Sequence, residues 1–91
     1  MKYFEWDKNK RKINLKKHGV DFIDAVEIFS DIDRIEFKVL REGEERAATI
    51  GKMRDIVIFL VYTVRQGKRR IISARRASKN EREAYEEKNE G

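Results

Sequence analysis

Apolar and polar positions alternate along this chain with two different periods, and the switches between them mark its elements. "KYFEW" reads as a short apolar strand. Asp7 is placed to cap the helix that follows, and Gly19 after His18 is placed to stop it. Within that helix Lys10, Asn14, Lys17 and His18 fall at i, i+4, i+7 and i+8, which puts them on one face. A second helix starts at Asp21, where Phe22, Ala25, Val26 and Phe29 form a core-facing stripe, and "SDID" closes it. In "RIEFKV" the period drops to two: Ile35, Phe37 and Val39 face one way, Arg34, Glu36 and Lys38 the other. "REGEE" then predicts a turn, "RAATIG" a strand and "KMRD" another turn. "IVIFLVYTV" is an unbroken apolar run, expected as the central strand with both faces buried. "RQGK" predicts a glycine hairpin, from which "RRIISAR" returns antiparallel. Ser78 and Glu81 form an S-x-x-E capping box at the start of the last helix. That helix has only Ala77, Ala84 and Tyr85 to pack with, so it is expected to be the least stable element. The order β-α-α-β-β-β-β-α predicts an α+β fold with an antiparallel sheet, in one domain spanning residues 1–91.

Composition narrows what such a domain can do. The chain has 91 residues, 40% hydrophobic and 43% charged, enough apolar side chains for one small core. Cysteine is absent, which removes disulfides and thiolate metal sites, and proline is absent too. No apolar run approaches the roughly 20 residues of a membrane span, and "MKYFEWDKNK" lacks a signal peptide's apolar segment. A soluble, cytoplasmic protein is expected. The net charge of +5 is unevenly spread. Residues 1–20 hold seven Lys/Arg against two Asp/Glu, and residues 65–82 hold eight against one, whereas residues 21–47 hold nine acidic against four basic. Brought together, the two basic blocks make a cationic face suited to a polyanion; kept apart, they are an ordinary solvated surface.

Four stretches carry a resemblance. "FEWDKNKRKINLKKHGVDFIDAVEIFSD", "ERAATIG", "IVIFLVYTV" and "RRIISARRASKNEREAYEE" together resemble the BrnT family, the toxins of bacterial type II toxin–antitoxin pairs. The resemblance runs over nearly the whole chain. It implies a RelE-like fold, metal-independent RNA cleavage that blocks translation, no cofactor, and a BrnA-like antitoxin bound in a hetero-oligomer. Two positions depart from the family pattern. Asp31-Ile32 stands where many members have Asp-Pro, and Val64 where a charged residue is common, with the charge one place later at Arg65.

Cleaving RNA without a metal means taking the 2′-hydroxyl proton, stabilising a negative phosphorane and protonating the leaving oxygen. Arg75, in the family's S-A-R motif, is the expected phosphate-stabilising fork, where a strand runs into a helix N-terminus. Its alternative role is an ion pair with Glu81 or Glu45. His18, the single histidine, suits general acid–base work, and equally suits the C-terminus of a helix whose dipole favours it. Lys17 beside it is a second candidate for the phosphate, or a solvated lysine. Glu81 can serve as general base or as half of the capping box. Lys10, Arg65, Arg70, Arg76 and Arg82, with Tyr85 as a base-stacking or packing ring, are the expected RNA contacts. Phe4 and Trp6 read as core. Asp31, Asp33 and Glu36 could offer oxygen ligands to magnesium, but they lie in the acidic block; one histidine without cysteine makes zinc poorer still. The competing class is a basic nucleic-acid-binding module without catalysis, which the same charge layout allows.

Overall fold

The computed structural model describes residues 2–41 and 43–90. It has the expected order: β1 (Phe4–Glu5), α1 (Lys8–His18), α2 (Phe22–Ala25), a 3-10 helix (Val26–Ser30), β2 (Ile35–Arg41), β3 (Glu44–Met53), β4 (Ile56–Arg65), β5 (Lys68–Arg76) and α3 (Lys79–Glu90). The strands form one sheet in the order β1-β5-β4-β3-β2. It is antiparallel except at β1, which runs parallel to β5 over Phe4–Arg69 and Glu5–Arg70. The expected 41–45 turn includes Glu42, which lies outside the described residues. The "KMRD" turn is tighter than expected: β3 continues to Met53, whose side chain is buried opposite Ile56. The β4–β5 turn places Gln66 and Gly67 at φ of 51° and 76°. Both are left-handed, as a two-residue hairpin turn matched to the strand twist requires.

The caps work as the residue types dictate. The Asp7 carboxylate accepts from the backbone N–H groups of Asn9 and Lys10, and Gly19 closes α1 in the left-handed conformation at φ 70°. The second helix is not uniformly α. It tightens after Ala25, and three residues per turn bring Phe22, Ala25 and Ile28 into line, each 0% exposed. Ile28, outside the predicted stripe, therefore becomes one of the deepest core residues. The same tight helix lies directly on β3 at Gly51, where a Cβ would meet those of Arg34 at 3.1 Å and Ile28 at 3.2 Å. Only glycine lets the two backbones come so close.

Two apolar layers result. Residues from β4 and β5 (Ile58, Leu60, Tyr62, Ile71, Ala74) pack with Val20, Phe22, Ala25, Val26 and Ile28 on one face, with Phe4 and Trp6 at the margin. On the opposite face Ile50 and Val57 meet Ala77 and Tyr85 from α3, flanked by Ile35 and Phe59. Ala84, expected to pack, is exposed. The α3 cover is thus narrow, and much of that sheet face is left uncovered by helix.

A bulge sets what that open face displays. Val61 is opposite Ser73 and Tyr62 is opposite Ile71, so Ile72 is an extra residue in β5. Side chains otherwise alternate, and an odd spacing such as 70 to 75 would put two residues on opposite faces. The extra residue reverses that parity. Arg70 (opposite Thr63), Ser73 (opposite Val61) and Arg75 (opposite Phe59) all share the open face, whereas Arg76, opposite Ile58, projects the other way.

Candidate functional site

The strand-to-helix corner is built around one ion pair. Ser78 N–H donates to Glu81 Oε1 at 2.8 Å, and Glu81 N–H donates to Ser78 Oγ at 3.2 Å, completing the capping box. The same carboxylate receives the Arg75 fork end-on, from Nη1 at 2.8 Å and Nη2 at 2.9 Å. Nη1 also donates to the Arg76 carbonyl at 3.2 Å, and the guanidinium lies 4.4 Å from the Phe59 ring centroid. Arg75 thus takes the ion-pair role with Glu81. Hydrogen bonding to Arg75 holds the Glu81 carboxyl below its usual range, against burial that by itself would raise it, and Ser78 adds to the lowering. A carboxylate stabilised in its charged form is a weaker base. The pair does not exhaust Arg75. Of five guanidinium N–H groups, three are taken by Glu81 and Arg76. Among the described residues Nε–H and one N–H of Nη2 have no partner, and they form the side edge of the fork.

The second part of the site is a groove between α1 and β5. Beyond its two-residue pairing with β1, β5 would present bare backbone, and Asn14 fills that place. Its Nδ2 donates to the carbonyls of Ala74 (2.7 Å) and Val20 (3.0 Å), while Ala74 N–H donates to its Oδ1 at 3.1 Å. One side chain imitates a neighbouring strand and fixes α1 along the sheet edge. The resulting groove, about 250 Å³, is lined by Lys10, Ile13, Asn14, Lys17 and His18 from α1 and by Ile72 and Ser73 from β5. The helix face read from spacing therefore lies along the strand that carries Arg75 two residues after Ser73. His18 ends α1 together with Lys16 and Lys17, so its position also satisfies the helix-dipole reading.

The remaining expected contacts are dispersed. Arg70 pairs with Glu5 at 2.7 Å, and Arg65 with Glu44 at 3.6 Å. Arg76 is exposed on the far face, and Arg82 donates to the Ala77 carbonyl at 3.0 Å. Tyr85 takes the packing role. It is 5% exposed and donates its hydroxyl to Asp31 Oδ2 at 2.6 Å, which leaves no open ring face for a nucleobase. Burial, with the Asp31 charge, pushes its phenol well above its usual range. Asp31 also accepts from the backbone of Lys52 and Asp33, and Glu36 from Thr49, Tyr62 and Arg34. The acidic block is thus engaged in holding α3 and the sheet. Phe37, Phe59 and Arg46 join Arg75 on the open face without a local signal, because only the pairing register brings them there.

A family model described as "Ribonuclease toxin, BrnT, of type II toxin-antitoxin system" matches residues 6–81. The chain belongs to the BrnT family. A comparison with curated proteins finds no match. The matched span begins at Trp6 and ends at Glu81, so it takes in the α1 groove, strands β2 to β5 and the Arg75–Glu81 corner, while β1 and the rest of α3 lie outside it. BrnT proteins are ribonuclease toxins of type II toxin–antitoxin systems, which implies an RNA substrate and an antitoxin partner. Among the described residues no helix is long and apolar enough to cross a membrane.

Proposed function

We propose that this BrnT-family chain cleaves RNA without a metal ion, using the side edge of the Arg75 fork to hold the scissile phosphate. The carrying observation is that Arg75 is aimed and occupied at once. Glu81 takes the end of the guanidinium, Phe59 supports its plane, and two N–H groups stay open in the bidentate geometry that phosphate oxygens fit. The ion pair and the phosphate contact therefore do not compete for the same donors. Glu81 is a positioning residue in this scheme rather than the general base, since its carboxylate is stabilised as the anion. His18 is the proton-transferring candidate, and Lys17 and Lys10 neutralise adjoining phosphates along the α1 groove. Arg65 and Arg70 extend the cationic track, with Arg76 and Arg82 outlying contacts. A BrnA-like antitoxin covers this face with an acidic segment and forms a hetero-oligomer in the cytoplasm.

Incubating the purified protein with single-stranded RNA in excess EDTA tests both the cleavage and its metal independence. Fragments are expected. Retention of RNA without fragments would leave the non-catalytic binding module, and restoration by magnesium would overturn the metal-free scheme. Arg75→Lys keeps the charge and loses the fork. It is expected to lower the cleavage rate by about 10²–10³ while RNA affinity changes little. Equal small losses in Arg75→Lys and Arg76→Lys would remove Arg75 from the reaction.

A further inference from the structure

A cleaving site that holds RNA by phosphates alone leaves the bases unheld, and Tyr85, the ring expected to stack one, is buried. Another aromatic side chain is free. Phe37 is 44% exposed on β2, the outermost strand of the sheet. Opposite it on β3 is Ala48, fully buried, whose side chain is too small to separate the rings on either side. Phe37 consequently approaches Phe59 across β3, with centroids 6.2 Å apart and planes tilted by 52°. Phe59 in turn supports the Arg75 guanidinium at 4.4 Å. The open face therefore carries a row of three flat groups: the phosphate fork, a ring already covered by it, and a ring with an uncovered side.

We propose that Phe37 is a stacking platform for an unpaired nucleobase of the RNA whose phosphate Arg75 holds. This rests on the ribonuclease reading above and adds a base-binding subsite to it. The row crosses the sheet from β5 to β2, three strand spacings or ~14 Å, so an RNA strand would run across the strands rather than along them. Charge selects RNA over an apolar protein segment as the occupant. On the same face Arg46, Arg65, Lys68, Arg70 and Arg75 outnumber Glu5, Glu44 and Glu81. The exposed aliphatic residues Leu40 and Val64, better suited to a protein, lie on the opposite face. Base–aromatic stacking is sequence-tolerant because every base has a π-face, so this subsite selects single-stranded RNA without choosing a base.

The test is binding of an uncleavable 2′-O-methyl oligonucleotide, measured by fluorescence anisotropy for the wild type, Phe37→Leu and Phe37→Tyr. Leucine keeps an apolar side chain at the edge and removes the π-face, while tyrosine keeps both. Phe37→Leu is expected to bind the single strand about ten to a hundred times more weakly. Phe37→Tyr is expected to match the wild type, and all three to bind a duplex or an abasic single strand alike. Melting temperatures should agree within a few degrees, since Phe37 is an exposed edge residue. Unchanged single-strand affinity in Phe37→Leu overturns the proposal. So does a loss that extends equally to abasic strands, or a Phe37→Leu change seen only in self-association or antitoxin binding. Should the wild type itself neither bind nor cleave single-stranded RNA, the ribonuclease reading fails first, and that failure is visible without any variant.

Discussion

Replacing Glu81 by Gln removes one charge and almost nothing of the side chain's shape. In the wild type, Arg75 donates to the carboxylate at 2.8 and 2.9 Å, and Ser78 N–H donates to it at 2.8 Å. Glutamine offers a single oxygen for these donors, and its amide repels one arm of the fork. Hydrogen bonds to charged groups contribute ~1.5–3 kcal/mol and neutral ones ~0.5–1.5. The exchange should therefore cost on the order of 1 kcal/mol, after discounting for water around an Arg75 side chain that is 38% exposed. In a domain of this size that lowers the melting temperature by about 4–8 °C. The loss should depend on pH. Arg75 holds the folded-state pKa of Glu81 below its ordinary 4.5, so the charged pair's contribution is complete above that value. It disappears as pH falls through the lower, folded-state value, because the unfolded chain takes up the proton first. Differential scanning calorimetry at neutral pH and at about pH 3 should show the gap between wild type and Glu81→Gln closing at acid pH. A gap of the same size at both pH values, or none at neutral pH, would refute the argument. Cleavage adds a second reading: as a positioning residue, Glu81→Gln should lose less than the ~10²–10⁴ that removal of a general base costs. RNA affinity should hold or rise, since a negative charge beside the phosphate is gone.

Asn14→Ala should destabilise by about 3 kcal/mol in urea unfolding, because it strands the buried N–H and C=O of Ala74 together. Tyr85→Phe keeps the packed ring and loses the bond to Asp31, so ~1.5 kcal/mol is expected. Hydrogen exchange should show that loss first in α3, with β4 amides little affected; a uniform rise in exchange would mean α3 is not the weakest unit. Expression without an antitoxin should slow growth. A small protein with an acidic segment, encoded nearby, should co-purify with the chain; recovery of the chain alone from its native host would count against the toxin role.

Local chemistry settled the elements of this protein. Asp7, Gly19, Asp21 and the Ser78–Glu81 box act within a turn of where they stand, and alternation in "RIEFKV" or the apolar run "IVIFLVYTV" needs no distant partner to make a strand. The helix face of Lys10, Lys17 and His18 was legible for the same reason, since 3.6-residue spacing is a property of the segment itself. What those groups face was not. The extra residue at Ile72 exists only in the pairing of β5 with β4, and it alone moves Arg70 onto the face of Ser73 and Arg75. Asn14 reads as one more polar residue in a basic helix until the Ala74 backbone, 60 positions away, claims both ends of its amide. Tyr85 was ambiguous because stacking and packing call for the same ring, and the choice fell to Asp31, 54 residues earlier. Alternation put Phe37 on one face with Ile35 and Val39 but did not say what covers that face. Phe37 is open because β2 is an edge strand and α3 crosses only the Val57–Ile50–Ile35 end of the sheet, reaching the Asp33 and Arg34 carbonyls but leaving Phe37 bare. That placement is decided by packing rather than by sequence period.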